Sequence, residues 1–240
     1  MIYSSTKNEF IKSIKKLQEK KYRDSTATFL VEGEHLVIEA IKNNCVKYII
    51  TEENYEFKSN IRQIKVTNNV LKYISSLDNP QPIMAVCKKL KNELLDDKIL
   101  ILDGIQDPGN LGTIIRSCVA FGFNTLVVSK NTVDTYNSKV IRASQGMIFS
   151  INIIVADLET FICDLKSKGY YVIGTDVESG KSISDFKNFK KSAIIMGNEG
   201  NGLSKKVKQL CDECIYIPIS DCCESLNVGV AASIIMYELR

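Results

Sequence analysis

At 240 residues with 45% apolar side chains, the chain is long enough for one large domain or two small ones with packed cores. It has no apolar run of about 18 residues and its amino terminus is polar, which argues against a membrane span or export leader and for a soluble, intracellular protein. A net charge of +3 excludes a globally basic nucleic-acid coat, and without an export signal the eight cysteines are expected to remain reduced thiols. The basic charge is nevertheless concentrated: residues 1–23 carry seven Lys or Arg against two Glu. Phe10, Ile14 and Leu17 recur there at helical spacing, so this leader is expected to be one basic amphipathic helix able to meet phosphates. A solvated helix face is the alternative.

Residues 28–31 then read as a strand, 35–41 as a helix, 46–51 and 61–66 as strands, 68–76 as a helix and 83–87 as a strand. This is a small α/β unit over residues 24–87. His35, the sole histidine, lies in it with no Ser or Cys tied to it by spacing, so a structural role is expected. The charged stretch 88–97 reads as a linker to a second unit over 98–240.

In that second unit strands at 99–102, 125–129, 148–155, 170–175 and 193–196 alternate with helices at 113–121, near 138–145 and 158–168, the first of them stopped at Gly122. The alternation predicts an α/β fold with a parallel sheet covered by helices on both faces. After residue 196 a polar glycine loop runs from Gly197 to Gly202, followed by an amphipathic segment and a second apolar run at 214–217. Another polar loop ends in Ser225, Leu226 and Asn227 before a closing helix at 228–239. Two strand-to-loop crossings so close together predict one pocket at the carboxyl edge of the sheet.

Asn110 suits the cap of the helix that follows it, and Arg116, four residues after Gly112, shares a face with that glycine and could reach a phosphate or carboxylate. Ser225 and Asn227 suit the cap of the last helix. Glu199, a carboxylate among glycines after an apolar strand, is poorly explained by packing and points to a ligand or partner contact. The glycine loops fail as nucleotide motifs. Gly109 is followed by Asn110-Leu111 instead of the Lys-Ser/Thr of a Walker loop, and the 197–202 loop is G-x-x-G-x-G rather than G-x-G-x-x-G. Cys211, Cys214, Cys222 and Cys223 give half a zinc site at best, because adjacent cysteines seldom both ligate and no histidine is near.

Together the three segments resemble the SpoU (TrmH) family of RNA ribose methyltransferases in the SPOUT superfamily. Its N-x-G-x-x-x-R motif is matched by Asn110, Gly112 and Arg116, and its G-x-E-x-x-G-L-S motif by Gly197, Glu199, Gly202, Leu203 and Ser204. The I-P and S-L-N-V elements are matched by Ile217, Pro218, Ser225, Leu226, Asn227 and Val228, with Ala231 beyond. The phrase Phe29-Leu30-Val31-Glu32-Gly33 also looks like the family's amino-terminal RNA-binding domain. Asp221 and Gly229 depart from the pattern, standing where many members have Gly and Ser.

The resemblance implies S-adenosyl-L-methionine as methyl donor, an RNA ribose 2′-hydroxyl as acceptor, a deep trefoil knot at the carboxyl end, and a homodimer with its active site at the interface. It implies cofactor contacts at Met196, Gly197, Asn198, Gly202, Ile217, Pro218 and Leu226. It makes Asn110, Arg116, Glu199, Ser225 and Asn227 the catalytic set, with Arg116 orienting phosphate or hydroxyl, since a guanidinium is a poor base. Ribosomal RNA in the cytoplasm is the expected substrate, with no membrane partner. The alternatives are a non-catalytic RNA-binding or ribosome-assembly protein, a transfer RNA ribose methyltransferase, or a base-methylating SPOUT enzyme.

Overall fold

Asn8 opens the first helix by accepting hydrogen bonds from the N–H groups of Phe10 and Ile11. In the computed structural model, which describes residues 2–90, 94–177, 179–186 and 189–240, the chain forms two compact units. The first is Met1–Leu90 together with Asp134–Phe149, and the second is Lys91–Val133 with Ser150–Arg240. Lys91–Glu93, in the stretch expected to be a linker, lie outside the described residues.

The first unit contains β1 (Ile2–Tyr3), α1 (Glu9–Lys16), α2 (Lys20–Thr26), β2 (Thr28–Glu32), α3 (Glu34–Lys42), β3 (Val46–Glu52), β4 (Gln63–Val66), α4 (Asn68–Ile74) and β5 (Ile83–Lys88). Its five strands lie in the order β1-β4-β3-β5-β2, with β5 antiparallel to both neighbours. Ile11, Ile14 and Leu17 bury the apolar face of the leader against Val70, Leu71 and Ile74 of α4. The basic leader is thus amphipathic, but it is two helices where one was expected. The break is held by Arg23, only 5% exposed, whose Nη1 donates to the carbonyls of Leu17 and Gln18 at 2.7 Å. Its Nε donates to Asp134 Oδ2 at 3.1 Å, completing a buried ion pair. Arg23 is therefore withdrawn from the exposed basic face, and the pair ties α2 to the segment Asp134–Phe149. Phe29 packs against the tilted ring of Tyr136 and stacks on Phe149 of the same segment, with ring centroids 4.6 and 6.1 Å away. Those aromatic contacts explain why a stretch following a strand of the second unit belongs to the first. Within it lies α6 (Ser138–Ala143), capped by Asn137.

The second unit contains β6 (Lys98–Leu102), α5 (Pro108–Phe121), β7 (Thr125–Ser129), β8 (Asn152–Ala156), α7 (Leu158–Ser167), β9 (Tyr171–Thr175), β10 (Lys181–Ser182), β11 (Ser192–Met196), α8 (Lys205–Leu210), β12 (Glu213–Tyr216) and α9 (Val228–Glu238). The part of the expected 148–155 strand before β8 is instead a 3-10 turn over Met147–Phe149. All seven strands are parallel, in the order β10-β12-β9-β11-β6-β7-β8. β6, β7 and β11 are nearly or fully buried throughout, the signature of strands covered on both faces. β11 lies between β6 and β9, both of which precede it in the chain. That order brings the carboxyl ends of β6, β9, β11 and β12 to one edge, where their loops meet. Among the described residues no helix is long and apolar enough to cross a membrane.

Candidate active site

The glycine loop after β11 is built by its own backbone. Asn198 and Gly202 exchange two hydrogen bonds of 2.9 Å, closing a tight turn, and Gly202 takes φ +63°. Gly197 lies beneath that turn: a Cβ there would come within 2.2 Å of the Gly202 carbonyl carbon and 2.4 Å of the Leu203 nitrogen. The Asn198 side chain organises the loop from within. Its Oδ1 accepts from the N–H groups of Gly200 and Asn201 at 3.0 and 3.1 Å, and its Nδ2 donates to the Gly104 carbonyl at 2.8 Å.

Asp107, not Asn110, caps α5. Its Oδ1 accepts from the Asn110 N–H at 2.8 Å, with Pro108 at the first helical position, where its missing N–H costs nothing. The Asp-Pro dipeptide was the signal for this start. Asn110 therefore sits inside the first turn with its side chain free for other bonds. Its Nδ2 donates to Glu199 Oε1 at 3.2 Å, and its Oδ1 accepts from Asn227 Nδ2 at 2.9 Å. Asn227 caps α9 in turn, its Oδ1 accepting from the N–H groups of Gly229 and Val230 at 2.9 and 3.3 Å. One amide thus joins the α5 start, the glycine loop and the α9 start.

Glu199 locks the first two of these together, accepting also from the N–H groups of Gln106 and Asp107 at 3.3 Å each. Partial desolvation pulls its pKa upward, but bonds from its own N–H, the Asn110 amide and the Gln106 and Asp107 N–H groups outweigh this, so the net shift is downward. The carboxylate's contribution to stability is present above the ordinary glutamate range and is lost as pH falls through the depressed value. Because Glu199 is exposed, solvent screening holds the loss expected on Glu199→Gln to less than about 1 kcal/mol at neutral pH. Thermal unfolding measured from pH 7 downward should show the variant lacking that acid-side loss.

Between the two loops lies an open pocket of about 590 Å³. Its apolar wall comes from Met196, Leu203, Ile215, Ile217, Ala231 and Ile235, and Thr175–Val177 close one side. Sequence reasoning passed over this last wall, although a position just beyond a parallel strand was the available signal. Lys208 is held there by an ion pair with Asp176. Of the expected cofactor contacts, Met196, Gly197, Asn198, Gly202, Ile217 and Leu226 line the pocket, whereas Pro218 is exposed and does not. Of the expected catalytic set, Glu199 and Ser225 line it, and Asn110 and Asn227 stand behind Glu199.

Ser225 has an exposed side chain and caps nothing, and Arg116 is exposed on α5, neither side chain having a polar partner among the described residues. Gly229 sits where α9 crosses α5: a Cβ would lie 3.2 Å from Asn227 Oδ1 and 3.4 Å from Thr113, so the glycine keeps the crossing close. Asp221 is exposed in the 217–226 loop. Cys211 and Cys214 both approach Gly174, and burial pushes the Cys211 thiol up to about 12 and Cys214 upward too, which opposes a thiolate role.

The SpoU rRNA Methylase family matches residues 97–237, and an MRM3-like substrate binding domain matches residues 8–85. The 23S rRNA (guanosine(2553)-2′-O)-methyltransferase RlmP of Bacillus subtilis is 37% identical over 98% of both chains. An AdoMet-bound rRNA methyltransferase from Sinorhizobium meliloti superposes with a TM-score of 0.89 at 27% identity, covering 100% of this chain and 97% of that one. The SpoU methyltransferase AviRb of Streptomyces viridochromogenes, in complex with AdoMet, gives 0.84 at 25% identity over 97% of each chain. The segments that Asn110 joins all fall inside the first match, and that match covers more than half of the protein: the chain belongs to the SpoU rRNA methylase family.

Proposed function

We propose that this protein is a methyltransferase that uses S-adenosyl-L-methionine to modify a ribose 2′-hydroxyl in RNA, with ribosomal RNA as substrate, in the cytoplasm. The observation that carries the reading is the end-to-end likeness to a 23S rRNA 2′-O-methyltransferase, joined to a pocket whose chemistry suits the donor. An apolar wall fits an adenine ring, and the N–H groups of Ile217 and Leu226 on its rim make no backbone bond among the described residues, leaving them free to a ligand. The donor, when bound, supplies an electrophilic methyl group on a sulfonium. The protein's part is alignment.

Met196, Gly197, Gly202, Ile217 and Leu226 hold the donor, with Asn198 shaping the loop around it. Asn110, Glu199 and Asn227 fix the two loops relative to α5, and Ser225 lies at the pocket mouth to meet the ribose. Arg116, uncommitted within its own subunit, orients the substrate phosphate or hydroxyl.

A homodimer supplies the rest of the site. Val230, Ile234 and Tyr237 recur along one face of α9, and Val230 and Tyr237 are 47% and 51% exposed. That uncovered apolar stripe supports a second copy there, bringing Arg116 of one subunit to the pocket of the other. Residues 98–240, apart from the Asp134–Phe149 segment that packs with the first unit, form the transfer domain, threaded as a trefoil knot, a reading supported by β11 entering between two earlier strands. Residues 24–87 with the basic leader bind RNA across the 88–97 linker. Lys15 over Tyr73 at 5.5 Å, and Lys16 and Lys21 over Tyr22 at 5.3 and 5.0 Å, give that unit cations seated on aromatic faces.

The purified protein with tritiated donor and undermodified ribosomal RNA should yield a 2′-O-methylated nucleoside on digestion, with the position named for the Bacillus subtilis relative the first to examine. Base methylation, or labelling of transfer RNA alone, would refute the reading.

A further inference from the structure

We infer that Asp103, at the end of β6, is a positioning residue for the donor pocket, acting through the N–H of Ser204. Ser204 is the N-cap of α8 and its own side chain makes no capping bond. In a capping box a Glu or Gln at the third helical position returns to the N-cap N–H, but here that position is the buried Val207. The missing acceptor comes from the far side of the sequence: Asp103 Oδ2 accepts the Ser204 N–H at 2.9 Å. Asp103 is 9% exposed and lies between the fully buried Leu102 and Ile105, at a place where packing alone would favour an apolar side chain. Its own N–H donates to the Met196 carbonyl at 2.9 Å, so the residue grips the chain at both ends of the glycine loop.

Between those two anchors lie Gly197, Gly202 and Leu203, all pocket-lining. The Asn198–Gly202 bridge fixes the turn itself, and Asp103 fixes where the turn delivers Leu203 and α8. The carboxylate lies outside the family-like motifs and is not among the residues that line the pocket, so its influence on the donor passes through backbone. This inference rests on the pocket being the donor site.

The experiment is calorimetric titration of the full-length protein with S-adenosylhomocysteine, well below the melting temperature of each variant. Asp103→Leu keeps the branched shape without an acceptor and is expected to weaken binding at least tenfold, roughly the cost of an unsatisfied N–H. Asp103→Asn keeps an acceptor oxygen and should stay within about threefold of the parent. Ser204→Pro removes the donor at a residue whose φ of −61° suits proline, and should itself weaken binding at least tenfold, a loss that can be read where Asp103→Leu does not fold. Parent-like affinity in Asp103→Leu or Ser204→Pro, or an Asp103→Asn as weak as Asp103→Leu, would overturn the inference. Absence of binding by the parent protein would instead overturn the donor-site reading.

Discussion

Arg116→Ala is expected to lower methyl transfer to RNA by roughly 10²–10³-fold, the range typical of losing one preorganised donor at a reacting centre. Affinity for S-adenosylhomocysteine should remain at the parent value, because Arg116 is not among the pocket-lining residues. Arg116→Lys should recover little, since an ammonium lacks the planar fork that grips a phosphate at two oxygens. The variant also tests the subunit arrangement. Mixed with subunits disabled in the glycine loop, Arg116→Ala should regain activity, because one site of each mixed dimer then combines an intact pocket with an intact Arg116. Single-turnover assays on separate and mixed subunits read this directly. Mixed subunits that stay inactive would place Arg116 in the same subunit as the pocket it serves.

The division between what the sequence revealed and what it hid follows from the range of the forces involved. Strands such as β6, β7 and β11 are legible because a strand buried on both faces must be apolar at every position, and Gly122 announces the end of α5 through its left-handed conformation. The pocket's position followed from the same logic, two apolar runs each breaking into a polar loop. The leader misled because Phe10, Ile14 and Leu17 keep a helical period, yet the break after Leu17 depends on Arg23, whose partner Asp134 lies 111 residues away. No local pattern carries that information.

The site residues divide in the same way. The place of Asn110 beside Gly112 and Arg116 marks it as a candidate site residue, and its residue type suggests a helix cap, but Asp107 holds that position. Asp-Pro two residues earlier was the stronger start signal, and it releases Asn110 to join Glu199 and Asn227. That juncture spans 89 residues to one partner and 117 to the other, so only the sheet order could disclose it. Asn198 shows the converse case. It lines the pocket as expected, but both ends of its amide are spent within the protein, which makes it the framework of the loop.

Gly197→Ala is expected to abolish cofactor binding while leaving the first unit folded. Most glycine-to-alanine changes are judged by φ, but here distance decides. The added methyl carbon would lie 2.2 Å from the Gly202 carbonyl carbon, 2.4 Å from the Leu203 nitrogen and 2.6 Å from the Gly202 oxygen, and all three are backbone atoms that cannot rotate away. Relief requires opening the Asn198–Gly202 bridge, which displaces the Glu199 carboxylate from Asn110 and from the N–H groups it holds. Overpacking of this kind costs about 1–3 kcal/mol of stability, and more where nothing can yield. The second unit should therefore unfold at lower temperature, and titration with S-adenosylhomocysteine should give no measurable heat. Gly200→Ala is the internal control: the nearest atom to its added Cβ is Asn198 Oδ1 at 3.7 Å, an ordinary contact, so binding should persist. Equal loss in both variants would mean that the loop tolerates no substitution at all, and the close approach at Gly197 would lose its special standing.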